Sequence, residues 1–197
     1  MTRLVLASAS PARLATLRSA GLDPEVVVSG VDESQVRITD PSALATELAR
    51  LKAEAVAARV PDAVVVGCDS VLGLDGAVHG KPADAAEATA RWRSMRGRSG
   101  VLHTGHCVVA PGGRRVLRAA ATTVHFADVT DREIDAYVAT GEPLQVAGAF
   151  TVDGLGGAFV RGIEGDHHNV VGISLPLLRE MLAEVEVPWV SLWSGPC

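Results

Sequence analysis

Short apolar runs alternate with amphipathic stretches along this chain, and most changes of period are marked by Pro or Gly. Residues 4–7 predict a short buried strand. Ser10 before Pro11 is a cap followed by proline at the first helical position, so a helix is predicted over 11–20, stopping at Gly21. Residues 25–29 predict a second strand. Asp40-Pro41 repeats the cap-plus-proline start, and an Ala-rich helix is predicted from there to about Arg59, ended by Pro61. The β-branched run 63–68 predicts a central strand. Residues 71–74 and 77–79 flank Asp75-Gly76, the signal of a type I′ hairpin. A helix over 84–95 follows Pro82. Residues 101–110 and 114–126 flank Pro111-Gly112-Gly113 and predict a longer hairpin. A helix over 131–139 ends near Gly141, the stretch 146–175 is Gly-rich with short strands, and 177–185 predicts a closing helix. Parallel-type units come first and antiparallel hairpins later. That order predicts one α/β domain over 1–197, with a mixed, twisted sheet and helices on both faces.

Composition sharpens this picture. Hydrophobic residues make up 48% of the chain and charged ones 21%, a balance that excludes a disordered chain. Aromatics are only 4%, so the core is aliphatic. A net charge of −5 argues against a nucleic-acid partner, although a few well-placed cations still suffice for a small anion. Cys68, Cys107 and Cys197 are far apart and form no CxxC pair, which argues against structural zinc or a disulfide framework and fits a reducing, cytoplasmic setting. The apolar run at 4–7 is too short for a secretory leader, and no stretch is long and apolar enough to predict a membrane span.

Three segments can carry chemistry. Ser8-Ala9-Ser10-Pro11-Ala12-Arg13 leaves a strand and enters a helix, where free backbone N–H groups, two hydroxyls and a guanidinium can cradle phosphate. The same residues also serve as plain capping. Gly67-Cys68-Asp69-Ser70 is expected at the end of an apolar strand, where Asp69 could bind a metal or take a proton, or simply form a turn. Gly80-Lys81-Pro82 is not a Walker A loop, since only three residues separate Gly76 from Gly80 and Pro82 stands where Ser or Thr is required. Lys81 can still offer a point charge, as can Lys52 in the second helix; Glu33 adds a carboxylate in a loop. His103 and His106, three apart in a predicted strand, face opposite ways, and His167-His168 are adjacent, so a zinc site is not expected. There is no G-x-S-x-G elbow.

Taken in order, the segments Leu6-Ala7-Ser8-Ala9-Ser10-Pro11, Val31-Asp32-Glu33, Leu51-Lys52-Ala53, Gly67-Cys68-Asp69-Ser70, Gly80-Lys81-Pro82, Tyr137-Val138-Ala139-Thr140-Gly141-Glu142-Pro143, Asp153-Gly154-Leu155-Gly156-Gly157 and Asn169-Val170-Val171-Gly172 resemble the Maf family of nucleoside triphosphate pyrophosphatases, first named as septum-formation inhibitors. The resemblance implies an elongated sheet with two lobes and a central cleft, of the Maf and inosine triphosphate pyrophosphatase type. It implies Asp69 as catalytic base and metal ligand, Glu33 at the metal, and Ser8, Ser10, Arg13, Lys52 and Lys81 on the triphosphate. It also implies a divalent cation, Mg²⁺ or Mn²⁺, and a homodimer. Three positions depart from the family pattern. Ala12 replaces an arginine, Ser70 a threonine, and Asp153 the glutamine of the branch acting on dTTP and UTP; these positions look like those tied to base selectivity, and the set resembles actinobacterial members. A non-catalytic, protein-binding septum regulator is the alternative from another class, and a phosphatase releasing orthophosphate is a second.

Overall fold

A computed structural model describes residues 2–193; Cys197 lies outside the described residues. The elements run β1 (Leu4–Leu6), α1 (Pro11–Ser19), β2 (Glu25–Val26), α2 (Pro41–Ala57), β3 (Val64–Leu74), β4 (Ala77–His79), α3 (Ala85–Met95), β5 (Ser99–Val109), β6 (Arg115–Phe126), α4 (Asp131–Ala139), β7 (Val160–Glu164), α5 (His167–Val171) and α6 (Leu175–Glu184). The caps behave as their side chains dictate. Ser10, Asp40, Asp84 and Ser174 each accept from a backbone N–H of the first turn they precede, and Thr130 with Glu133 forms a capping box. Asp75 and Gly76 both have positive φ, 52° and 76°, as a type I′ turn demands.

Seven strands make one mixed α/β sheet in the order β2-β1-β3-β5-β6-β7, with β4 paired to β3. β1 is parallel to β2 and β3; the other pairs are antiparallel. Two expectations are corrected. The runs 63–68 and 71–74 are one strand of 11 residues, because the intervening Asp69 and Ser70 keep extended backbone and pair with Gly105 and Thr104 of β5. The stretch 146–175 holds a single strand, β7; its remainder is 3-10 turns and α5.

The long β3 joins two apolar regions. Toward its start, Val64, Val66 and Cys68 pack with Leu17, Leu178 and Met181 on one face. Val65 packs with Ala49, Ala53 and Val56 on the other. Toward its end, Leu72 and Leu74 enter a core built on Trp92, Phe126, Ile134 and Tyr137. These are the two lobes, and the polar pair Asp69-Ser70 sits on the strand between them.

Candidate active site

The pairing register opens a notch in the sheet. β1 covers the outer edge of β3 at Val64, Val65 and Val66, and β4 covers it at Leu72, Gly73 and Leu74. Among the described residues, no strand covers that edge from Gly67 to Val71. Asp69 therefore lies beside a topological break, although the break comes from where β1 ends and not from where β3 ends.

Alternation along β3 sends neighbouring side chains to opposite faces. Gly67 and Asp69 face α2. A methyl group at Gly67 would lie 2.5 Å from the Ala49 carbonyl oxygen, and one at Gly105 would lie 2.2 Å from that of Ala45. The helix therefore rests directly on sheet backbone, which brings Lys52 to the sheet. Lys52 Nζ lies 2.5 Å from Asp69 Oδ1 and 2.7 Å from Glu33 Oε1. Side-chain exposures of 13% for Lys52 and 12% for Asp69 show a largely desolvated pair, while Glu33 is half exposed. Burial raises the Asp69 carboxyl above the ordinary carboxylate range, and Lys52, then Arg13, partly offset it.

Ser70 faces the other way, toward α1. The Arg13 guanidinium donates from Nε to Gly172 O at 2.7 Å, and its two terminal nitrogens lie 3.2 Å from Ser8 Oγ and 3.0 Å from Ser70 Oγ. Ser8 Oγ also accepts from Ser10 N–H at 3.1 Å, and Ser10 Oγ from Arg13 N–H at 3.4 Å. Ser8, Ser10, Arg13 and Ser70 thus form one polar cluster at the start of α1, on the opposite face of β3 from Glu33, Lys52 and Asp69.

Lys81 is exposed and makes no hydrogen bond or ion pair among the described residues. Its place is set by Gly80, whose carbonyl oxygen accepts from Arg91 at 2.5 Å and from Gly148 N–H at 3.0 Å. Ala12 and Asp153 line one cavity of about 390 Å³, together with Thr16, His168, Val171 and Leu175. Two of the three divergent positions thus line the same cavity, and the third, Ser70, accepts from Arg13, the residue after Ala12.

Several supporting residues had no role assigned from the sequence. Thr104 Oγ1 lies 2.8 Å from Ser70 Oγ and donates to Asn169 O at 3.2 Å. Asn169, fully buried, donates to Leu102 O and Thr122 Oγ1 at 3.2 and 3.0 Å. His106 Nε2 accepts from Ser174 N–H at 2.8 Å, so its Nδ1–H donates to Thr104 O at 3.0 Å. Pairing register, which places Thr104 opposite Ser70, was the signal that could have found the first of them.

Comparison with known families settles the ancestry. The family model described as Maf-like protein matches residues 3–185. This chain belongs to the Maf-like family. A relative from Salinispora tropica, called nucleoside triphosphate pyrophosphatase, is 62% identical and aligns over 98% of this chain and 88% of its own. One from Streptomyces coelicolor with the same name is 60% identical over 98% of this chain and 95% of its own. Among solved structures, the Ham1 protein of Staphylococcus aureus aligns over 98% of this chain and 94% of its own, at 13% identity and a TM-score of 0.49. Among the described residues, no helix of this Maf-like chain is long and apolar enough to cross a membrane.

Proposed function

We propose that this chain hydrolyses nucleoside triphosphates to the monophosphate and pyrophosphate. The observation that carries the proposal is the notch itself. Beside the uncovered edge of β3, the largely buried Lys52–Asp69 pair and the half-exposed Glu33 lie on one face, and the start of α1, furnished with Ser8, Ser10 and Arg13, lies on the other. Triphosphate oxygens would meet that helix start, where the Ala12 N–H points out of the first turn. Lys52, and Lys81 once its free side chain swings in, would balance charge on the phosphates.

Asp69 and Glu33 converge on a single ammonium, and among the described residues no group of three His, Cys, Asp or Glu side chains could hold a metal alone. This donor set suits Mg²⁺ or Mn²⁺, which needs only one or two carboxylates and takes its other ligands from phosphate and water. Asp69 and Glu33 would hold the ion, which when bound neutralises charge on the phosphate oxygens. Ionised Asp69 would take a proton from water as the water oxygen bonds to the α-phosphorus. The bond from that phosphorus to its bridging oxygen breaks, and pyrophosphate leaves with the electron pair. At the nucleoside end, Asp153 would accept hydrogen bonds from base or sugar in the cavity beside Ala12.

The test is pyrophosphate release across canonical and modified triphosphates, with and without a chelator. Asp69→Asn should lower turnover by at least about 10²-fold, the low end for a lost acid–base group. Near wild-type turnover in that variant, or orthophosphate as the product, would rule the assignment out.

A further inference from the structure

The family segment at 137–143 has no role in the chemistry above, and the structure ties it to the segment at 153–157 that carries Asp153. The Glu142 carboxylate gathers four donors. Its Oε1 accepts from Tyr137 O–H at 2.9 Å, Thr151 O–H at 2.5 Å and Gly156 N–H at 3.0 Å, and its Oε2 accepts from Leu155 N–H at 2.9 Å. Burial disfavours the charge, but the donors from Thr151, Leu155, Gly156 and Tyr137 outweigh it and hold this carboxyl below the usual range.

The loop is shaped to let the carboxylate in. A methyl group at Gly154 would lie 2.6 Å from Glu142 Oε2, and one at Gly156 would lie 2.3 Å from Tyr137 Oη and 2.9 Å from the Thr151 backbone. Asp153 stands immediately before this pair of glycines and lines the cavity beside Ala12.

We infer that Glu142 is a positioning residue for nucleotide selection, fixing the turn at 151–156 so that Asp153 is presented to the cavity wall. This rests on the assignment of that cavity to the nucleoside end of the substrate. An isosteric amide tests it closely. With its oxygen kept on the three Oε1 donors, Glu142→Gln turns an NH₂ toward the Leu155 N–H, donor against donor, and releases one end of the turn.

The experiment measures kcat and KM over a panel of triphosphates for the wild type, Glu142→Gln, Thr151→Val and Asp153→Ala, with hydrogen exchange followed at residues 150–157. In Glu142→Gln, KM for the preferred nucleotide should rise about 5-fold or more, the size of one lost hydrogen bond, with kcat changed less than about 2-fold. The ranking of nucleotides should flatten and the Leu155 and Gly156 amides should exchange faster. Thr151→Val, which removes a single donor, should show the same pattern in weaker form if Glu142→Gln does not fold. Asp153→Ala should flatten the ranking without faster exchange. An equal loss for every nucleotide in the Glu142 and Thr151 variants, with KM unmoved, would reduce Glu142 to a structural group and overturn the inference. A ranking indifferent to Asp153→Ala would instead overturn the nucleoside-end assignment beneath it.

Discussion

Between Ser174 N–H and Thr104 O, the His106 imidazole must accept on one nitrogen and donate on the other, which only the neutral ring can do. Burial, followed by Arg13, accordingly lowers its pKa from 6.5 to about 4. The sign follows from linkage. Unfolding restores the ordinary pKa, so between 6.5 and about 4 the unfolded chain binds the extra proton. Stability is fully present above pH 6.5 and is lost as pH falls, by an amount of order 2 to 3 kcal/mol. Thermal unfolding at pH 7 and pH 5 should show the decline, and His106→Gln should flatten it; an equal decline in both proteins would remove His106 as its source. At this scale the sequence marked residues by type, and the structure brings Ser8, Ser10 and Arg13 together at the start of α1 and Lys52 against Asp69. His106 was legible only as a face of a strand. Its partners come from residues 104 and 174, and a donor 68 positions away leaves no local trace.

Helix α2 reaches the sheet through a spine of Ala45, Ala49 and Ala53, four residues apart, seated on Gly67 and Gly105. An alanine at Gly105 would force backbone apart, since its methyl would sit 2.2 Å from the Ala45 carbonyl oxygen. Gly105→Ala should cost about 1 to 3 kcal/mol, read in denaturant unfolding. It should also lower activity, because Lys52 moves out with the helix. A variant of unchanged stability would show that α2 tolerates a wider seat. The composition of α2 was plain in the sequence, and so were its Asp40-Pro41 start and the Asp75-Gly76 turn, because caps and turns are local. The continuity of β3 was not. Asp69 and Ser70 look like turn residues when read alone, and only pairing with Gly105 and Thr104 holds them extended.

At the scale of the whole chain, the C-terminal segment folds back on its own body. Trp193 donates its indole N–H to Ala20 O at 3.1 Å and packs over Gly21, while Trp189 packs against the core around Leu17 and Leu178. The third tryptophan, Trp92, is fully buried at the other end of the sheet. The three indoles therefore stand as reporters at opposite ends of an undivided strand. β3, β5 and β6 each run from one lobe to the other, so neither lobe can melt without stripping the partners from a strand the other lobe needs. Trp92→Phe leaves emission from one end only and Trp189→Phe with Trp193→Phe from the other. The two signals should fall at the same denaturant concentration and superimpose on the loss of far-ultraviolet dichroism. Separate midpoints would mean that the notch is a seam along which the halves come apart. Coincident ones would make it a gap cut into a single beam, whose two banks hold their spacing until the whole chain gives way.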